Sequence, residues 1–267
     1  VRVREEASGH DSGQVNVKQV IRVMRGGSGW GLAALLLVSA LQPKVVRAEV
    51  IAEAAFATHY IYRGLDNLGG SPAFQPTVTW IAPRGGFDLN AWFSTGLADR
   101  GSQAVRDFDE IDLSASYSRQ LGDLLLRGGL FHLSWYGRSG YPDDFSTVQE
   151  VFAGASLTHL PGQPSLMVNY ELAATDGHDL YLQFRCGQMV GFGEYHYLFL
   201  GFSAGYYAAE WVGKNGISDI NLELSTTLER GLLALTPRFM VTYAPMDEIN
   251  PNHLIFWSSI SLARVWP

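Results

Sequence analysis

From residue 49 onward, apolar and polar side chains alternate with a period of two, as in strands whose successive residues face opposite sides. In Ile111-Asp112-Leu113-Ser114-Ala115-Ser116-Tyr117-Ser118 the odd positions are apolar and the even ones polar. Ile220, Leu222, Leu224 and Leu228 alternate likewise with Asp219, Asn221, Glu223, Ser225 and Thr227, and Leu166, Val168, Tyr170 and Leu172 with Ser165, Asn169 and Glu171. A helix would gather none of these sets on one face. The alternation predicts twelve strands, at about 50–64, 72–82, 87–98, 110–121, 124–136, 147–158, 164–175, 179–191, 195–210, 218–229, 232–244 and 253–266.

The connections fall into two classes that take turns. Pro83-Arg84-Gly85-Gly86, Gly122-Asp123, Leu160-Pro161-Gly162-Gln163, Phe192-Gly193-Glu194 and Arg230-Gly231 are short, whereas those between them are mostly longer and rich in Gly, Asp, Asn and Ser. An even strand count with short turns at one end and long loops at the other is the layout of an outer-membrane barrel with both termini on the periplasmic side. Asp176-Gly177-His178-Asp179 is short where a long loop is due, which leaves counts of ten or fourteen open. The fold class expected is all-β, a transmembrane antiparallel up-and-down β-barrel spanning 49–267.

A barrel in lipid satisfies its backbone hydrogen bonds internally and turns its apolar face outward, so the polar phase lines the lumen. That phase carries Glu53, Asp88, Asp112, Glu150, Glu171, Asp219 and Glu223 against Arg63, Arg185 and Arg238. Such charges fit either a hydrated, mildly acidic passage that favours cations or a salt-bridged network filling a narrow barrel. Tyr60, Tyr62, Trp80, Phe87, Trp135, Tyr243, Phe256 and Trp266 read as outward aromatics near strand ends, where amphipathic rings meet the lipid–water boundary.

Upstream, Arg25 precedes an apolar run at 30–41, too short for a membrane span, followed by Pro43 and Val46-Arg47-Ala48. This is the pattern of a signal peptide over 24–48 cut before Glu49, with 1–23 an upstream or mis-started segment. Across the 267 residues, 47% are hydrophobic and 17% charged, which suits one barrel. Net charge is −7, and without residues 1–48 it becomes −11, so a nucleic-acid partner is not expected. The single cysteine, Cys186, has no partner for a disulfide or a zinc site, and no cluster has metal-ligand spacing. No cofactor is implied.

His132-Leu133-Ser134, with Glu150 on the next strand, invites a Ser–His–acid reading, because a histidine beside a serine can take its proton. Two families of barrel enzymes, the lipid A 3-O-deacylases with their His-x-Ser sequence and the twelve-stranded outer-membrane phospholipases, face such groups toward lipid. Here the alternation assigns His132 and Ser134 to the inward phase and Phe131, Leu133 and Trp135 to the outward one, and Trp135 stands where the deacylases carry asparagine. On that phase no catalysis is expected.

Phe56-Ala57-Thr58-His59-Tyr60-Ile61-Tyr62-Arg63-Gly64-Leu65 and Ser71-Pro72-Ala73-Phe74-Gln75-Pro76 resemble the opening of the TorF-family porins, a strand ending in Tyr-x-x-Arg-Gly and then a Pro-Ala-x-Gln segment. Glu110-Ile111-Asp112-Leu113-Ser114-Ala115-Ser116-Tyr117 resembles that family's acidic Asp-Leu-Tyr-Ala-Gly-Tyr strand, and Glu150-Val151-Phe152-Ala153-Gly154-Ala155-Ser156-Leu157 its Glu-Val-Tyr-Ala-Gly-Leu-Ser strand. The likeness covers about 50–160, with Pro76 and Ala155 as departures from glycine and leucine. It implies a Gram-negative outer-membrane porin or channel in contact with lipid, passing small polar solutes or ions, without catalytic residues. A lipid-modifying esterase barrel and a non-conducting structural or adhesive barrel are the alternatives.

Overall fold

The computed structural model describes residues 48–83, 86–97, 108–137, 145–172, 179–191, 196–209 and 214–266. The expected leader, apart from Ala48, and the segment before it lie outside these residues, as do Arg84, Gly85, Phe192, Gly193 and Glu194 of the expected turns. The strands are β1 (Glu49–Ala57), β2 (Ile61–Tyr62), β3 (Leu65–Asp66), β4 (Ala73–Ile81), β5 (Phe87–Gly96), β6 (Phe108–Leu121), β7 (Leu124–Gly137), β8 (Phe145–Leu157), β9 (Ser165–Glu171), β10 (Leu180–Gly191), β11 (His196–Ala209), β12 (Lys214–Arg230), β13 (Leu233–Tyr243) and β14 (Leu254–Trp266). β1 and β4 to β14 close into a twelve-stranded antiparallel barrel, the seam formed by β1 against β14, while β2 and β3 pair apart from it.

Most of the wall obeys the alternation. On β14, Leu254, Phe256, Ile260, Leu262 and Trp266 are exposed outward and Ile255, Ser261, Ala263 and Val265 are buried inward; on β12, Leu222, Leu224 and Leu228 face out while Glu223, Ser225 and Thr227 face in. A belt of exposed leucine, isoleucine, valine and aromatic side chains around every strand is costly in water and natural in a bilayer. Closure leaves no unpaired strand edge to meet lipid.

Three departures from the expected pattern bear on function. The first expected strand, 50–64, stops at Ala57, and 58–72 turns into the barrel instead of extending the wall. Tyr60 and Tyr62 therefore lie inside the barrel, against Trp92, and do not belong to an outward girdle; Phe87, Tyr243, Phe256 and Trp266 are exposed outward. Between β11 and β12 the register slips at Gly205 and Tyr206 of β11, leaving Ser218 of β12 as an extra residue, so that Ser218 and Asp219 are both buried.

The third departure reverses the phase of upper β7. Trp135 pairs with Glu110 and Phe131 with Glu150, both buried carboxylates of the inward face. His132 and Ser134 pair instead with Leu113 and Ile111, which are exposed apolar residues of the outward face. Cross-strand partners share a face. His132 and Ser134 thus point outward, and Trp135, with Leu133 and Phe131, points inward.

Candidate functional site: an occluded lumen

The segment 58–72 follows β1 out of the wall, and its tip is the β2–β3 hairpin, with Ile61 opposite Asp66 and Tyr62 opposite Leu65. The two tip residues, Arg63 and Gly64, both have positive φ, 52° and 89°, which is what a two-residue type I′ turn requires. For arginine this conformation costs on the order of 1 kcal/mol or more. At Gly64 a Cβ would sit 2.5 Å from the Ser218 carbonyl oxygen and 2.9 Å from Ile249 Cγ2, so a side chain has no room.

The cost at Arg63 is offset by what its side chain reaches. Nη1 donates to Glu150 Oε1 at 2.7 Å and Nη2 to Glu150 Oε2 at 2.6 Å, a bidentate pair buried on both sides. With the Asn169 amide turned so that both its atoms are satisfied, its oxygen accepts from Arg63 Nη2 at 2.7 Å. The guanidinium also lies over the rings of Tyr62 and Tyr181, 4.7 and 4.6 Å from their centroids.

Apolar contacts seat the rest of the segment. Leu68 and Tyr60 pack with Ala73, Tyr62 and Trp92 on one side, and Leu65 packs against Tyr181, Tyr207, Ile249 and Met246 on the other. The β13–β14 loop adds Asn250, whose Nδ2 donates to the Gly64 carbonyl at 3.1 Å. Burial, with the carboxylates of Glu110 and Asp112 close by, pushes the phenol of Tyr60 well above its usual range, and burial does the same to Tyr62, so neither ionises near neutral pH. The first extracellular loop is therefore a plug that spans the mouth from β5 to β10 and β11.

Below it the lumen keeps a cavity of about 160 Å³, lined by residues that include Arg127, Arg185, Asp219, Glu223 and Trp257. That is room for several waters. Glu223 Oε1 lies 3.0 Å from Arg238 Nε and its Oε2 3.4 Å from Arg185 Nη2, so one carboxylate joins two arginines across β10, β12 and β13. Asp88 accepts from Ser116 and, at 3.2 Å, from Arg127 Nη2. Asp219 accepts from Tyr181 at 3.1 Å, Ser218 at 2.7 Å and Asn221 at 2.6 Å.

Of the ten charged candidates, Arg63 lies on the inserted loop and the other nine on barrel strands. Glu150 and Glu171 are direct register partners, and Asp112 lies beside Glu110 on β6 beneath Tyr60. Glu53, half-buried on β1 between Thr77 and Ala263, stands apart from these groups. Arg63 reaches the lumen from a loop and not from a strand. The sequence reading overlooked Arg127, Glu110 and Asp179, of which Asp179 accepts from Tyr207 at 2.9 Å. Arg127 had a signal of its own, since a charge in mid-strand must face water or a partner. Arg100 and Arg106, in the expected loop after β5, lie outside the described residues.

Among the described residues no cluster of histidine, cysteine and carboxylate could hold a metal, and Cys186 is half-buried and free. No family model matches the chain, and no curated protein matches it in sequence. Solved structures do match in shape. The KdgM porin in complex with disordered oligogalacturonate aligns over 82% of this chain and 99% of its own, at 8% identity and a TM-score of 0.49. The translocator domain of the autotransporter NalP from Neisseria meningitidis aligns over 84% and 89%, at 14% identity and 0.48. The NanC porin aligns over 81% of this chain and 98% of its own, at 8% identity and 0.51, and shares its barrel fold.

Proposed function

We propose that the chain is an outer-membrane channel for small polar solutes or ions, with a mouth closed by the 58–72 loop when Arg63 is bound to Glu150. The observation that carries this reading is the charged inner face around a cavity large enough for water, behind a predominantly apolar outer face. A barrel with a merely structural task has no need to keep water inside it.

The TorF resemblance supports the same reading and gains a physical sense. Its Tyr-x-x-Arg-Gly element is here the plug tip, Tyr60 to Gly64, with the arginine as latch and the glycine at a site where a Cβ would clash. Cleavage before Glu49 would start the mature chain at the first residue of β1. Lumen carboxylates stay in excess of arginines once Glu110, Asp179 and Arg127 are counted with the ten candidates, which favours cations.

Reconstitution into a planar bilayer tests the function. Discrete conductance steps with a reversal potential of cation sign in a KCl gradient are expected. A barrel that stays silent both as wild type and as Glu150→Ala, while migrating as a folded, heat-modifiable band, overturns the channel reading and favours the non-conducting alternative.

A further inference from the structure

At the mouth the wall presents a receptor, and the loop fills it. Glu150 on β8, Asn169 on β9, Tyr181 on β10 and Tyr207 on β11 come from four neighbouring strands and meet, all buried, around one guanidinium. Glu150 offers both carboxylate oxygens to its two terminal nitrogens, and Asn169 offers a third acceptor. Tyr181 and Tyr207 offer ring faces, their centroids 4.6 and 5.9 Å from the guanidinium carbon. None of these four positions depends on the loop. Strand ladders fix their backbones, and the two rings brace each other edge to face at 5.8 Å. The Tyr181 hydroxyl donates to Asp219 and that of Tyr207 to Asp179, while Glu171, opposite Glu150 in the register, adds a further carboxylate. The receptor therefore keeps its shape and its negative field when the loop is away.

Arg63 fills this receptor imperfectly. Its backbone is held at a φ of 52°, and its Nε is buried without an acceptor. A free guanidinium makes the same paired hydrogen bonds to Glu150 and the same ring contacts without the strained turn. The cavity below reaches Arg63, Tyr62 and Tyr181, so a solute in the lumen lies against the receptor.

From this geometry we propose that Glu150, Asn169, Tyr181 and Tyr207 form a binding site for solutes that carry a guanidinium group, and that such a solute opens the mouth by taking the place of Arg63. Paired carboxylate oxygens flanked by aromatic faces select a planar fork of N–H donors. A quaternary ammonium would meet the rings but leave Glu150 and Asn169 buried without donors. The opening step rests on the channel reading, whereas the binding does not.

Calorimetry of the full barrel in detergent micelles tests it, with methylguanidinium as the probe and tetramethylammonium as the control. Arg63 competes from within the chain at an effective concentration on the order of millimolar, so methylguanidinium should bind Arg63→Ala about tenfold or more tightly than the wild type. Adding Glu150→Gln to that variant should abolish the binding, and tetramethylammonium should not bind. If Arg63→Ala loses heat-modifiable migration, Arg63→Lys replaces it. The lysine keeps a charge in the loop but not the fork, and methylguanidinium should again bind more tightly than to the wild type. In a planar bilayer methylguanidinium should raise the conductance of the wild type and not that of Arg63→Ala. Equal affinity for the folded variant and the wild type, binding that survives Glu150→Gln, or equal binding of tetramethylammonium overturns the proposal. Binding by a barrel that never conducts upholds the receptor and refutes the channel reading, and with it the opening step. Conductance without binding refutes the receptor alone.

Discussion

Two sets of arginine and carboxylate occupy one lumen and are built differently. At the mouth, Arg63 comes from the 58–72 loop and Glu150 from the wall. Deeper in, Arg185, Glu223 and Arg238 all come from wall strands, β10, β12 and β13. When the first pair breaks, the loop can swing into water and both charges regain hydration. When the second breaks, the arginines stay fixed in the wall, facing a gap. Equal chemistry therefore gives a latch in one place and a strut in the other, according to whether backbone ladders hold both partners.

Glu223→Ala should do the most harm to folding. Breaking a buried pair by removing one partner costs about 3–5 kcal/mol, and the partial exposure of Arg185 points to the lower end. A urea titration of the barrel in lipid vesicles should show a clearly lowered midpoint. An unchanged midpoint would mean that the strut is not one.

Glu150→Ala sharpens the contrast. The freed loop escapes most of that penalty, so the urea midpoint should move by roughly 1 kcal/mol or less, as for an exposed pair, while single-channel conductance rises. A large stability loss without a conductance gain would make the loop a fixed part of the core.

Gly64→Ala attacks the same plug without touching charge. With positive φ and the Ser218 carbonyl in the way, the tip must shift, and a smaller conductance gain than that of Glu150→Ala should result. Tyr181→Phe removes one hydrogen bond to Asp219 and keeps the ring under Arg63. It should cost about 1 kcal/mol, with conductance unchanged. The smallest effect concerns salt: cation preference should weaken from 0.1 M to 1 M KCl, where the screening length falls from about 10 to about 3 Å.

How legible all this was in the sequence depends on the region. β12 could be read directly, because leucines and isoleucines stand on one phase and Asp, Asn, Glu, Ser and Thr on the other. Upper β7 could not. Phe131, Leu133 and Trp135 are apolar on the inner phase because they line the mouth near the plug, while His132 and Ser134 are polar on the outer phase because they bond each other. Both faces depart from the barrel's rule at one place, so the period of two yields the wrong side. Only the register with β6 and β8 gives the right one.

Twelve strands and the polarity of the wall were determined by the sequence alone, because a wall that separates lipid from water imposes its polarity on every second residue. The tertiary structure decided what no local pattern carries. Tyr60 and Tyr62 continue the alternation of β1 so well that they read as wall, yet the chain leaves the wall at Ala57. What turns it inward is distant in sequence: Glu150, Tyr181, Tyr207, Ser218 and Asn250 become one receptor for Arg63 and Gly64 only after the barrel has closed.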